Sequence, residues 1–134
     1  MGNDNVGKLI LRLAVGCLMA FHGLSKLRHG VAWMAGPLSA HHLPAALAYG
    51  VYVAEVVAPI LLILGIFTRP AGLVIAFEMV VALYLVVDGR AFTIDKQTGA
   101  LLSELQFLYM LGGLAIFFLG SGRYALSKGK GRWD

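Results

Sequence analysis

Charge is scarce in this chain. Lys, Arg, Asp and Glu make up 13% of its 134 residues, against about 25% in an average globular domain, while hydrophobic residues make up 59% against about 45–50%. A domain this small has much surface for its volume and ordinarily covers it with charge, so the shortage excludes a water-soluble globule. The chain reads as an integral membrane protein. Cysteine is almost missing too. Cys17 stands alone, which excludes an internal disulfide, a CxxC redox pair and a thiolate metal site within one chain. Electron chemistry therefore has to come from a bound cofactor or a partner. Basic clusters interleaved with aromatics are also lacking. The net charge is +4, but Arg123, Lys128, Lys130 and Arg132, four of the eleven basic residues, crowd a short C-terminal tail. That placement is a signal of membrane topology and argues against nucleic acid as a partner.

What the chain has is apolar runs, each close to the roughly 20 residues that cross a ~30 Å hydrocarbon core. They predict helices over about 6–27, 43–67, 70–87 and 101–119, followed by a short basic tail over 120–134. The expected fold is all-α, a four-helix transmembrane bundle forming a single integral domain over 1–134. Thr68-Arg69-Pro70 is expected to be the tight turn between the second and third spans. With four spans both termini share a side. That side carries seven positive charges (Lys8, Arg12, Arg69 and the four in the tail) against four on the other (Lys26, Arg28, Arg90, Lys96), so both termini are expected to be cytoplasmic. A multi-pass protein of the cell (inner or plasma) membrane follows. Arg12 interrupts the first run, which argues against a cleaved signal peptide. The segment from Arg28 to His42 is apolar enough to lie at the interface or fold back over the bundle, whereas Asp88 to Gly99 reads as a polar loop.

Ionisable residues inside the spans carry the chemistry. Glu55, Glu78, Glu104 and Arg12 interrupt apolar runs, and His22 and Lys26 lie at the outer end of the first. A charge near the bilayer centre costs about 2.5–3.5 kcal/mol on insertion scales, so each is a candidate for ligand binding or proton relay, or else for locking helices together. Depth predicts an inner cluster of Arg12, Glu55 and Glu78, and an outer one of Lys26 and Glu104 with His22 and Gln106. On the first helix Arg12, Gly16, Met19, Gly23 and Lys26 share a stripe, and Gly16 and Gly23 would admit another helix closely. Pro59 follows Glu55 by four residues and has no N–H to offer its carbonyl, so a bare carbonyl and a carboxyl fall together. Three glutamates facing two cations leave one carboxyl that takes up a proton, and Glu78 is the choice. Two uses stay open for it: relaying protons or hydrogen-bonding a quinone carbonyl, and acting as a permanently neutral link between helices. His22 alone is an ordinary interfacial hydrogen-bonder. His41-His42 lacks a third ligand, so no metal site is expected.

The order of these features resembles the DoxX family. The carrying residues are Arg12, then Phe21-His22-Gly23-Leu24-Ser25-Lys26, then Glu55 ahead of Leu62-Ile63-Leu64-Gly65-Ile66-Phe67-Thr68-Arg69-Pro70. Glu104 and the closing Gly120-Ser121-Gly122-Arg123-Tyr124-Ala125-Leu126-Ser127 add to it, although Ser127 stands where the family often has Asp. The family takes its name from a membrane subunit of a quinone-linked thiosulfate-oxidising complex, and other relatives are associated with sulfur or thiol redox defence. The resemblance implies that Arg12, Lys26, Glu55 and Glu104 match the family's polar positions, with Glu78 a common variant of the third helix. It transfers no catalytic residue. The leading expectation is a membrane subunit of a redox system, not catalytic alone, in which the buried Arg/Glu cluster binds a quinone or relays its protons. No cofactor of the chain's own is evident; the expected partners are the bilayer and a redox subunit. The alternatives are a small carrier or channel for a weak acid or small solute, which would need chains to associate as a homo-oligomer, and a scaffold holding a peripheral enzyme through the basic tail.

Overall fold

The computed structural model describes residues 2–87 and 89–134, and among these the chain is helical, apart from loops and one isolated antiparallel bridge between Ile94 and Leu101. The helices are α1 (Gly2–His29), α2 (Ala35–Ala40), α3 (Ala45–Leu64), α4 (Thr68–Val87) and α5 (Glu104–Leu119). Three of them, α1, α3 and α4, are long and apolar enough to cross a membrane, and α5 is a shorter apolar helix of 16 residues.

The turn between α3 and α4 falls earlier than the Thr68-Arg69-Pro70 expectation. Gly65, at φ 73°, takes the left-handed conformation that ends α3, and the Gly65 and Ile66 N–H groups both donate back to the Leu61 carbonyl. Helix α4 then begins at Thr68, so Pro70 lies inside its first turn. Proline is tolerated there, because a first-turn N–H has no helical acceptor to lose. The start expected at Pro70 thus moves back to Thr68.

Packing centres on Met19, Leu62, Ile75 and Ile116, each almost wholly buried. Helices α4 and α5 approach most closely where Gly72 meets Gly113: a Cβ on either would collide with the carbonyl oxygen of the other. The segment after α1 folds back over one end of the bundle. Val31 and Leu38 are buried against Ala48, Val51 and Leu85, and the His41 ring meets Tyr84 tilted by 46°, with centroids 4.5 Å apart. The loop ahead of α5 is built around Asp95, whose Oδ1 accepts from the Thr98 N–H at 3.0 Å and the Gln97 N–H at 2.7 Å. Those two donors hold the Asp95 carboxyl below the usual carboxylate range.

The tail is not a free basic arm. Ser127 Oγ donates to the Gly65 carbonyl at 2.8 Å, the Leu126 N–H to the Leu64 carbonyl at 3.1 Å, and the Arg69 N–H to the Trp133 carbonyl at 3.1 Å. It folds beneath the α3–α4 turn.

Candidate functional site

The site begins with the register of α1 against α3. Gly16 lies against Leu62 and Gly23 against Glu55, an antiparallel pairing that keeps step over two turns. A Cβ on Gly23 would collide with the Glu55 carbonyl oxygen, so hydrogen at this position is what lets the helices close. The contact that Gly16 and Gly23 make is therefore within one chain. Arg12, Gly16, Met19 and Gly23 are all buried along one stripe, and Lys26, one turn beyond Gly23, is half-buried. From there the Lys26 ammonium reaches the Glu55 carboxylate and forms an ion pair with it.

Pro59 shapes the other partner. Without an N–H at 59, α3 cannot keep regular bonding back to Glu55, and residues Val53–Val57 wind as a π-helical turn in which the Ala58 N–H reaches the Val53 carbonyl. The wider turn faces Ala54 and Glu55 inward, and Glu55 is only 3% exposed. A second π-helical turn, Leu83–Val87, ends α4.

These elements enclose a cavity of about 630 Å³. Most of its wall is apolar, with Met19, Leu38, Val51, Phe77, Leu85 and Leu105 contributing. Its polar groups are few and converge: Lys26, Glu55 and Glu78, with His22, Gln106 and Tyr109. The Glu78 carboxyl lines the same cavity as Glu55 and Lys26. The His22 ring meets Tyr109 edge to face at 5.8 Å, and the Trp33 ring lies 6.0 Å from the Lys26 ammonium. Three oxygens are buried here with no hydrogen-bond partner in the protein: Glu55 Oε2, Glu78 Oε2 and Gln106 Oε1. An unsatisfied buried acceptor costs about 1–3 kcal/mol, and three around one cavity mark a place that accepts donors from outside the protein.

The grouping differs from the expected inner and outer clusters. Arg12 joins neither glutamate. Its guanidinium donates to the carbonyls of Leu62 at 2.6 Å, Ile63 at 2.9 Å and Tyr124 at 2.7 Å, tying α1 to the C-terminal end of α3 and to the tail. The last carbonyls of a helix lack helical donors and carry its negative dipole end, so they hold a buried cation that the depth argument had assigned to carboxylates. Glu104 does not pair with Lys26. It is exposed on the first turn of α5, where an acidic side chain suits the positive end of the helix, and Glu55 takes Lys26 instead. His22 and Gln106 do line the cavity with Lys26. No group of His, Cys, Asp and Glu able to hold a metal is found among the described residues.

Sequence reasoning passed over Tyr109, Trp33 and Arg69. For Tyr109 a signal was available, since Gln106, Tyr109, Gly113 and Ile116 recur at helical spacing and form the inward stripe of α5. For Arg69 none was. Its side chain donates to the carbonyls of Phe117, Phe118 and Asp134, and backbone acceptors leave no trace in a sequence.

The DoxX family model matches residues 7–88, the stretch that holds Arg12, Lys26, Glu55 and Glu78, while Glu104 and the tail lie beyond it. A protein of Haemophilus influenzae (strain ATCC 51907 / DSM 11121 / KW20 / Rd) described as uncharacterized is similar at 36% identity over 119 residues, covering 87% of this chain and 84% of that protein. No solved structure matches. Long apolar helices, the Lys26–Glu55 pair beside Glu78 and a matched stretch covering more than half of the sequence agree: the chain is a membrane protein that belongs to the DoxX family.

Proposed function

We propose that the cavity receives the head group of a membrane quinone and that Glu78 and Glu55 supply protons to it. The protein would be a subunit of a sulfur- or thiol-linked redox system in which a partner chain provides the electrons. The observation that carries this reading is the Lys26–Glu55 ion pair and a second carboxyl, Glu78, together on the polar part of the wall of an apolar cavity. A carboxyl that holds a proton has an O–H to donate, and one that has released it can take a proton up, so two on one cavity wall suit proton exchange with a ligand. The residues suit the group in size and chemistry. About 630 Å³ lies within the ~300–1,000 Å³ of ordinary ligand sites, the apolar wall suits a ring and the start of an isoprenoid tail, and Lys26 and a protonated Glu78 are donors for ring oxygens. When bound, a quinone supplies two-electron, two-proton chemistry. The chain's own part is to orient the ring and deliver protons, with His22 and Tyr109 beside the carboxyls.

The same reading places the three long apolar helices α1, α3 and α4 across the bilayer of the cell membrane, with the shorter α5 spanning as well. At ~1.5 Å per residue its 16 residues cover about 24 Å, short of the hydrocarbon thickness but lengthened by the apolar Leu101 and Leu102 that precede it. Both termini are then cytoplasmic, with the tail docked on that face.

Trp33 lines the cavity, and the other tryptophan, Trp133, lies in the tail. The test is quenching of Trp33 fluorescence by decylubiquinone in the Trp133→Phe chain held in nanodiscs. Saturable quenching that weakens about tenfold in Glu78→Leu, the loss of roughly one hydrogen bond, is expected. Linear, unsaturable quenching, or an unchanged Glu78→Leu titration, would rule the reading out. Solute flux through proteoliposomes of the chain alone would replace it with a carrier.

A further inference from the structure

A second cavity, of about 800 Å³, lies at the opposite end of the bundle, and its lining is a convergence of cations: Lys8 from α1, Arg69 from the first turn of α4, and Arg123, Lys128 and Lys130 from the tail. One carboxylate shares the wall. That carboxylate, Asp134, is engaged by backbone donors, accepting from the Phe67 N–H and the Gly131 N–H at 2.9 Å each. Arg69 is likewise committed to carbonyls. Lys8, Arg123, Lys128 and Lys130 have no ion-pair partner among the described residues, where the one ion pair is Lys26–Glu55.

We infer that this cavity is a binding site for a phosphate-bearing anion. Topology requires only that positive charge be on one side of the membrane in sequence; it does not require α1, the α3–α4 turn and the tail to bring that charge to one hollow. The fold does so by specific means. The Arg123 N–H donates to Asn5 Oδ1 at 2.9 Å, bringing the tail to the start of α1, and Lys8 packs against Gly122. The tail then turns back so tightly that a Cβ on Gly129 would lie 3.2 Å from the Gly122 carbonyl oxygen. Lys128 itself adopts φ 54°, a left-handed conformation unusual for lysine, on the rim. Like charges held this way repel one another, and an anion with several acceptor oxygens relieves that repulsion while satisfying several donors at once. Leu119, the last residue of α5, also lines the cavity, which puts it where an apolar helix leaves hydrocarbon and where lipid phosphates lie. The shared chemistry is a phosphate group, borne by an anionic lipid or free in solution.

The test uses the full chain in dodecyl maltoside at constant ionic strength. Inorganic phosphate binding is followed by calorimetry, and retention of phosphatidylglycerol against phosphatidylcholine by native mass spectrometry. One phosphate or one phosphatidylglycerol per chain is expected. The variant Lys128→Gln with Lys130→Gln should weaken it about twenty-five-fold, at about fivefold per charge, and Lys128→Arg with Lys130→Arg should restore it. Both side chains are exposed and unpaired, so the bundle melts normally in either variant. Saturation by phosphatidylglycerol alone assigns the site to a lipid head group; saturation by inorganic phosphate assigns it to a free anion. No stoichiometric binding of either, or equal binding by the two-lysine Gln variant, would overturn the site.

Discussion

The two ends of the bundle treat buried polarity in opposite ways. At the tail end, Arg12 and Arg69 between them donate to carbonyls of Leu62, Ile63, Tyr124, Phe117, Phe118 and Asp134, so that cations meet the loose ends of helices and the tail is stitched on. At the cavity end, one ammonium faces two carboxyls, and three buried oxygens are left without donors. Arg12 and Glu55 are almost equally buried, at 2% and 3% exposed, so burial alone does not separate a structural ion from a chemical one. Partners and position do. Arg12 keeps three backbone acceptors, with only its Nε unpaired, and holds the fold, whereas Glu55 leaves a carboxylate oxygen without a donor on the wall of a cavity, where a proton or a ligand can reach it.

Removing the cation at the tail end should have the largest effect on stability. Arg12→Met strands the acceptors it joins, at about 1–3 kcal/mol each, for a total loss of about 3 kcal/mol or more. The tail should then become protease-sensitive well below the melting temperature in detergent. A melting point unchanged within a degree would mean that water satisfies those carbonyls and that the stitch is incidental. At the cavity end the two glutamates should part company. Glu55→Gln leaves Lys26 without its counterion, for a loss of about 1–3 kcal/mol, below the ~3–5 kcal/mol of a fully buried pair because the Lys26 side chain keeps 19% of its exposure. Glu78→Gln should cost almost nothing, since Glu78 forms no ion pair among the described residues and an amide of the same size keeps the cavity wall intact, yet it carries no proton to release. Quinone reduction by the assembled complex should fall about 10²–10⁴-fold in Glu78→Gln, the usual contribution of a positioned acid. Equal destabilisation by both substitutions with undiminished reduction would make the pair a helix lock and nothing more.

Much of the cavity end was legible because it is written in side chains and their spacing. Gly16, Gly23 and Lys26 share a stripe by helical phase alone, and the interval from Glu55 to Pro59 announces a disturbed turn at a carboxyl. The tail end was not legible, for a physical reason. Its acceptors are carbonyls, which every residue has, and which become available only where a helix stops. That stop depends on Gly65 turning left-handed three residues before Thr68, while Pro70 made the later position look like the break. Glu104 was misplaced by the same kind of error: α5 starts at 104 and not 101, so its carboxylate falls on an exposed first turn.

The glycine seam between α1 and α3 tests whether the cavity depends on helix spacing. Gly23→Ala introduces a methyl where the Glu55 carbonyl lies, and overpacking of this kind costs about 1–3 kcal/mol. Because α1 must move away, the Lys26–Glu55 pair should lengthen, and a cysteine cross-linking rate between the two helices would report it. Gly7→Ala, with open space around it, is the matched control and should leave both stability and cross-linking unchanged.

The smallest effect expected lies outside both ends, in the loop ahead of α5, and it supplies the contrast of a carboxylate satisfied by donors in water. Asp95 is half-buried in a surface loop, and its carboxyl is held below the usual range by the N–H groups of Thr98 and Gln97. A depressed folded-state value means that the unfolded chain binds the proton first as pH falls. The contribution is therefore complete above the ordinary carboxylate value of about 3.9 and is lost as pH drops through the lower folded value. Hydrogen exchange at the Gln97 and Thr98 amides should stay protected down to that range and then rise, while Asp95→Ala removes the protection at every pH. The effect should remain local. Loss of cavity-end binding in Asp95→Ala would show instead that the loop governs how α5 presents Gln106 and Tyr109, and the separation between satisfied and unsatisfied carboxylates would then have to give way to one coupled unit.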